Sequence, residues 1–141
     1  MDIKRQVLRL TKRFQSNDPF YIAKQLGVNI LYSNLGDTLG YCLKYKRTHF
    51  IVLNESTDDS LINFVCAHEL GHTVLHKGVN TPFLKANTLF SIDKIEREAN
   101  SFAVELLLSD DLLQEHDDIN FYSIARCVGI PNGLENLKTI L

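Results

Sequence analysis

The first half of the chain alternates between helical and extended patterns of apolar residues. Apolar positions three or four residues apart predict an amphipathic helix over residues 2–15. A proline suited to a first helical turn predicts a short helix that begins at Pro19. Alternating apolar residues then predict a strand over residues 28–32, and two more strands over 41–45 and 48–53 form a predicted hairpin. The pattern therefore predicts two helices followed by a three-stranded sheet.

The second half of the chain is predicted to be mainly helical. Residues 58–77 are apolar on almost every side, which predicts a long, buried helix. Residues 79–91 lack periodicity and are predicted to form a loop. Another long helix is expected over residues 93–108, followed by short helices in the tail, residues 109–141. This order of elements predicts an α+β fold in which a three-stranded sheet packs on helices. The helix over residues 58–77 is expected to lie at its centre.

The composition indicates a single globular domain and argues against a nucleic-acid-binding protein. The chain has 141 residues, of which 45% are hydrophobic and 23% charged, as is typical of a single globular domain spanning residues 1–141. Its net charge of −2 provides no global positive field, so we expect no direct binding to nucleic acid. Basic residues concentrate on the N-terminal helix, residues 1–16. That helix presents either a solvated basic face or a docking surface for an acidic partner.

The cysteines and the N-terminal segment indicate where in the cell the protein is expected to act. Cys42, Cys66 and Cys127 form no CxxC pair, and we expect them to be reduced thiols. The N-terminus lacks the apolar region of a signal peptide, and no segment approaches the ~18 apolar residues of a membrane span. We therefore expect a cytoplasmic protein with no membrane association.

The candidate chemistry lies in the sequence HELGH, which occupies residues 68–72 of the predicted central helix. His68 and His72 are offset by about 40° around the helix axis and by about 6 Å along it, so both imidazoles can face one ion. Two such nitrogen ligands are typical of a Zn²⁺ site. Glu69 lies beside the same face and is placed to accept a proton from a water molecule. Burial of these polar groups would be costly without a partner, and a metal ion removes that cost.

Two stretches together resemble the ImmA/IrrE family of zinc metallopeptidases. HELGHTVLH is followed by EREANSFAVELL, and the resemblance covers roughly residues 17–110. It implies that His68 and His72 bind zinc, that Glu69 is the catalytic glutamate and that Glu96 is the helix-borne glutamate of the site. It also implies a small zincin-like domain. Members of this family are often carried by phages and integrative elements, and some act on a helix-turn-helix repressor.

Helix geometry supports Glu96 as the third metal ligand. In the helix over residues 93–108, Glu96 falls within the apolar sector, whereas Glu98 and Glu105 fall on the polar side. A carboxylate on a buried face requires a cation, and zinc is the one expected nearby. The alternative is a salt bridge between Glu96 and an arginine.

Two further residues are expected to support the ligands from outside the metal site. His76 lies about 12 Å along the helix from His68, too far to share one ion. It is therefore expected to act as a cation at the helix C-terminus or as a hydrogen-bond donor behind the site. Asn100 follows Glu96 by one helical turn, so its amide could also hydrogen-bond the site.

The site residues predict a zinc-dependent peptidase, and the family resemblance implies that its substrate is a regulatory protein, such as a helix-turn-helix repressor. Tyr122, His116 and His76 are candidates for stabilising the oxyanion of the reaction. The alternative is a non-catalytic zinc-binding module that docks to a repressor. Such a structural site normally has four protein ligands, and Cys66 lies about 160° around the helix from His68, where it cannot supply one.

Overall fold

The computed structural model describes residues 1–140, which form an α+β architecture of six α-helices and a four-stranded mixed sheet. The helices are α1 (Ile3–Phe14), α2 (Pro19–Gln25), α3 (Asp59–Leu75), α4 (Lys94–Leu107), α5 (Asp110–Glu115) and α6 (Phe121–Cys127). The strands are β1 (Asn29–Ser33), β2 (Thr38–Tyr45), β3 (Thr48–Asn54) and β4 (Leu84–Lys85). Short 3₁₀ turns occupy Ala86–Thr88 and Leu134–Leu137. Every helix expected from the sequence pattern is confirmed.

The predicted three-stranded sheet is wrong by one strand. β4 lies inside residues 79–91, which lack periodicity, and it pairs with β2 in antiparallel register through Gly40 and Leu84. A strand of two residues is too short to show an alternating pattern, and its only support is this distant partner. Sequence periodicity therefore could not reveal it.

The sheet has the strand order β1-β3-β2-β4. β1 runs parallel to β3, whereas β2 and β3 form the expected antiparallel hairpin. Lys46 and Arg47 make its turn in the left-handed region, with φ of 47° and 68°. β4 pairs only with the start of β2, so within residues 1–140 the edge of β2 from Tyr41 to Tyr45 has no strand beside it.

Helix α3 lies at the centre of the fold, packed against the sheet on one side and against α4 on the other. Two glycines permit this close packing. A Cβ atom on Gly40 would lie 2.9 Å from Cγ1 of Val65, and one on Gly71 would lie 3.1 Å from the side chain of Phe102. Gly40 thus lets β2 approach α3, and Gly71 lets α4 approach it from the other side.

The C-terminal segment covers the far end of α4 and overturns one expectation. Glu105 was expected on the polar side of that helix, but only 5% of it is exposed. Its Oε1 accepts a hydrogen bond of 2.7 Å from Lys138 Nζ, and its Oε2 accepts one of 2.8 Å from the backbone N–H of Thr139. The helical pattern was wrong for Glu105 because the covering residues come from a distant part of the chain.

Within residues 1–140, no helix combines the length and the apolar character that crossing a membrane requires. The longest, α3, has 17 residues.

Candidate metal centre

Two neighbouring helices bring three potential metal ligands together. His68 and His72 lie one turn apart on α3, and Glu96 lies in the first turn of α4. One ligand atom from each side chain lies within 4.8 Å of the other two, and all three residues are buried. Glu96 Oε1 is 3.3 Å from His68 Nε2, and Glu96 Oε2 is 2.9 Å from His72 Nε2. No arginine among residues 1–140 lies within 4.0 Å of Glu96, so the salt bridge considered above is absent there.

The chemistry of this cluster fits a metal ion. Nε2 of both histidines and Oε2 of Glu96 are buried and lack a hydrogen-bond partner among the described residues. The carboxylate oxygens of Glu96 thus lie close to the two Nε2 atoms, but these contacts do not have the geometry of hydrogen bonds. Three unsatisfied electron-pair donors in one buried space would be costly, and a cation bound between them would satisfy all three.

The carboxyl groups beside the cluster have contrasting acidities. Burial favours a raised pKa for Glu96, but its interactions with His68 and His72 outweigh burial and lower the pKa to about 2. Glu69 is fully buried, and neither of its carboxylate oxygens has a hydrogen-bond partner among the described residues. Burial, opposed by His72 and reinforced by Glu96, raises the pKa of Glu69 to about 8. These surroundings thus favour the ionised form of Glu96 and disfavour the charged form of Glu69.

A hydrogen-bond chain through Asn100 fixes the tautomer of His68. Asn100 Nδ2 donates to the carbonyl of Leu89 at 2.7 Å, and a carbonyl can only accept. The amide oxygen of Asn100 therefore faces His68 Nδ1, 2.8 Å away, and accepts its proton. This assignment follows from the network, and it leaves the electron pair of His68 Nε2 free for a metal.

A second chain runs from His72 through His76 to Glu98. His76 Nε2 lies 2.9 Å from Glu98 Oε1, and a carboxylate accepts, so the proton of His76 resides on Nε2. His76 Nδ1 is then an acceptor for the Nδ1–H of His72, 2.9 Å away. The electron pair of His72 Nε2 is thereby directed into the cluster. His76 lies outside the three-residue cluster, at the C-terminal end of α3.

Comparison with known proteins identifies the family. The peptidase family described as the IrrE N-terminal-like domain matches residues 23–131. The chain belongs to this family. The expected ImmA/IrrE membership is confirmed, and the family is one of metallopeptidases.

Two relatives of this ImmA/IrrE family member come from Bacillus and one of its phages. An uncharacterized immunity region protein 2 of Bacillus phage phi105 is 42% identical over 141 residues, covering 98% of this chain and 89% of the relative. The metallopeptidase ImmA of Bacillus subtilis (strain 168) is 36% identical over 115 residues, covering 80% of this chain and 67% of the relative. No solved structure matches the chain significantly.

A cavity of about 470 Å³ lies beside the metal centre of this family member. His72 and His76 contribute to its wall, and the remaining lining comes from the free part of β2, from His49, from Thr73 and from residues 77–81 and Phe83. Of the three candidates for stabilising an oxyanion, His76 lines this cavity, whereas Tyr122 and His116 do not. Cys66 is buried and lies outside the ligand cluster, as expected.

Several residues near the site were missed from the sequence. Glu98 was assigned to the polar side of α4, yet it contacts His76. The signal that could have found it is His76 itself, because a buried histidine one turn after His72 needs an acceptor for its N–H group. Cys42 lies on the cavity wall, close enough to Glu69 that burial and this carboxylate raise the pKa of its thiol to about 11. Lys44 also lines the cavity, and nothing in its local sequence pointed to the site.

Proposed function

We propose that this protein is a zinc-dependent endopeptidase that cleaves a specific regulatory protein, such as a helix-turn-helix repressor of a phage or mobile element. The observation that carries the proposal is the buried, unsatisfied cluster of His68, His72 and Glu96 beside the equally unsatisfied Glu69. Membership of a metallopeptidase family supports it. The proposal includes a single zincin-like domain over residues 1–141 and a cytoplasmic location.

Zinc is the proposed metal because of the ligand types. Two imidazole nitrogens and one carboxylate oxygen suit Zn²⁺ better than the oxygen-rich sites that Mg²⁺ and Ca²⁺ prefer. Three protein ligands also leave a coordination position open, as in catalytic zinc sites, whereas a structural site is normally closed by four. The open position supports hydrolysis over a non-catalytic docking module.

The residues around the metal would share the work of hydrolysis. Bound Zn²⁺ supplies Lewis acidity toward a water molecule and toward the scissile carbonyl. Glu69 accepts the proton of that water at a carboxylate oxygen and passes it to the leaving nitrogen. Neither oxygen of Glu69 has a hydrogen-bond partner in the described part of the chain, so no such bond has to break before the carboxylate takes the proton.

The proposed roles of His76 and Asn100 are to position the metal ligands. Asn100 holds His68 through one hydrogen bond, and His76, backed by Glu98, holds His72. Each contact places a proton on Nδ1 and so reserves Nε2 for the metal. His76 also lines the cavity, but both of its ring nitrogens are engaged in these contacts, so an oxyanion would need a different donor.

The relatives support a regulatory protein as the substrate. One is named for an immunity region of a phage, and the other is named as the metallopeptidase ImmA. A protease that serves an immunity region is expected to act on one partner and not on proteins in general.

The test is co-expression of the protein with candidate helix-turn-helix repressors, in wild-type form and as Glu69→Gln. Wild type should produce one defined cleavage, while Glu69→Gln should retain zinc and lose at least about 10²-fold of the cleavage rate, because its amide cannot accept the proton. Metal analysis and mass spectrometry of the products provide the readouts. Near wild-type cleavage by Glu69→Gln would eliminate Glu69 as the base. A repressor that co-purifies with the zinc-loaded wild type but is never cut would instead indicate the docking module.

A further inference from the structure

The cavity beside the metal centre has a charge opposite to that of the whole chain. The chain carries 17 acidic and 15 basic residues, for a net charge of −2. The described lining nevertheless contains Lys44, His49 and Lys77 and no aspartate or glutamate. Glu98 does not line the cavity and is engaged with the lining residue His76, and Glu69 and Glu96 are buried. A ligand in this cavity therefore meets cationic side chains.

These basic groups come from three different elements and converge on one place. Lys44 is on β2, His49 is on β3, and Lys77 follows the end of α3. Partial burial of His49, together with the positive charges of Lys44 and Lys77, lowers the pKa of its imidazole, so the two lysines carry the positive charge of this wall. Within residues 1–140, neither lysine lies within 4.0 Å of a carboxylate. The convergence concentrates uncompensated positive charge, and such a cleft attracts groups of opposite sign.

The same cavity presents an apolar surface and a free strand edge. The rings of Tyr41 and Phe83 stack with centroids 4.4 Å apart, and Phe83 is largely exposed. Val79, also exposed, lies on the same wall. Among the residues that the structure describes, no strand lies beside the backbone of β2 beyond Gly40, so this edge can pair with an extended segment. Together these features suit an extended peptide that carries both an apolar and an acidic side chain.

We propose that this cavity binds the substrate segment next to the scissile bond and selects a segment in which an acidic side chain adjoins an aromatic one. The acidic side chain pairs with Lys44 and Lys77, and the aromatic one packs on Tyr41 and Phe83. This inference rests on the proposed peptidase function, because it assigns the cavity to the peptide that the metal centre cleaves.

The test measures peptide binding without cleavage, using the zinc-loaded, full-length Glu69→Gln protein. The probes are dye-labelled alanine octapeptides in which one phenylalanine is followed by aspartate, asparagine or lysine, with this pair placed at each position in turn. Fluorescence anisotropy gives the dissociation constants. We expect the best aspartate peptide to bind about three- to tenfold more tightly than its asparagine counterpart, as one or two partly exposed ion pairs allow, and the lysine peptide to bind most weakly.

Matched lysine variants show whether the cavity causes this preference. Lys44→Glu and Lys77→Glu, each made in the Glu69→Gln protein, should abolish or reverse the preference for aspartate. Lys24→Glu makes the same charge change at an exposed position on α2, outside the cavity, and should leave the preference intact. Added salt should weaken the preference, because partly exposed charges are screened.

Three results would overturn the inference: equal binding of the aspartate, asparagine and lysine peptides, an equal effect of Lys24→Glu and Lys44→Glu, or no measurable binding by any peptide. Failure of the proposed function would look different. In that case the aspartate peptides would still bind preferentially, but the wild-type protein would not cleave them or any repressor.

Discussion

Helix α4 buries two glutamates, one beside a lysine and the other beside two histidines. Glu96 and Glu105 are only 3% and 5% exposed. Glu105 lies 2.7 Å from the ammonium of Lys138, which is itself buried and also contacts Asp110 at 2.9 Å. Around Glu96 the close partners are the nitrogens of His68 and His72, and no lysine or arginine among residues 1–140 lies within 4.0 Å.

The difference separates a glutamate that the chain itself neutralises from one that it does not. A buried carboxylate needs a compensating cation, whatever its role. At Glu105 the chain provides that cation, and the backbone N–H of Thr139 satisfies the second oxygen. At Glu96 the chain provides two further electron-pair donors in place of a cation. The proposed metal ion supplies the missing positive charge from solution.

The largest expected difference between the two glutamates is in zinc binding, which is tested by replacing each one with alanine. Glu96→Ala should lose stoichiometric zinc, because two imidazoles alone leave the ion with too few protein ligands. Glu105→Ala should bind as much zinc as wild type. Elemental analysis of the purified proteins, before and after dialysis against a chelator, provides the measurement. If both variants retained zinc, Glu96 would not be a ligand.

The stability of the same two variants should follow the opposite order when zinc is absent. Glu105→Ala leaves Lys138 buried without its main partner, and loss of one member of a buried pair costs about 3–5 kcal/mol. We expect a value near the lower end, because Asp110 still contacts Lys138. Glu96→Ala leaves no such buried charge and should cost less.

Urea denaturation of the zinc-free proteins tests this order. The double variant Glu105→Leu with Lys138→Met serves as the control, because it removes both charges and should recover much of the loss. If the double variant were as unstable as Glu105→Ala alone, the cost would come from packing and not from the unpaired charge.

Glu98 offers a finer test, because it acts on the ligands through His76. Glu98→Ala removes the acceptor for His76 Nε2–H, so the tautomer of His72 is no longer imposed. Loss of such an outer contact typically weakens metal binding by about 10–100-fold. Glu98→Gln keeps an acceptor oxygen and should recover part of the affinity.

Chelator competition measures these zinc affinities, and the visible spectrum of the Co²⁺ form reports the geometry of the site. His49→Ala is the matched control, since His49 lines the same cavity but belongs to neither the ligand cluster nor its hydrogen-bond chains. An equal loss of affinity in His49→Ala and Glu98→Ala would argue against a relay through His76.

The smallest expected effect on zinc binding comes from replacing Gly71, the residue that allows α3 and α4 to pack closely. A Cβ atom there would lie 3.1 Å from the fully buried Phe102, and such overpacking costs about 1–3 kcal/mol. Gly71→Ala should push α4 outward and weaken zinc binding less than Glu98→Ala does. Gly36→Ala is the control. With φ of +62° and no atom within 4 Å, it should lower stability but leave zinc affinity unchanged.

The sequence predicted those parts of the site that depend on local geometry. His68 and His72 are related by one turn of a single helix, and the position of Glu96 within an apolar sector follows from the period of α4. The spacing of apolar residues likewise predicted α3 and α4, and their positions are confirmed. Such relations require no knowledge of how distant segments pack.

What the sequence did not predict depends on contacts between distant segments. Glu105 lies on the face that the helical pattern marked as polar, and it is buried only because Lys138 and Thr139 cover it. β4 exists only because β2 pairs with it, and Lys44 reaches the cavity only because the sheet packs beside α3. In each case the sequence nearby is ordinary, and the chain topology supplies the partner.

The hydrogen bond from Asn100 to Leu89 has a consequence for the entropy of the connection between α3 and α4. This connection, residues 76–93, is fixed where β4 joins the sheet and again where Asn100 holds Leu89. The entropic cost of closing it therefore falls on folding and not on metal binding. Even doubling its length would add only about 0.6 kcal/mol, since closure entropy grows with the logarithm of length. Changes in the length of residues 78–81, which line the cavity, can thus alter its shape while the positions of the three candidate ligands stay the same.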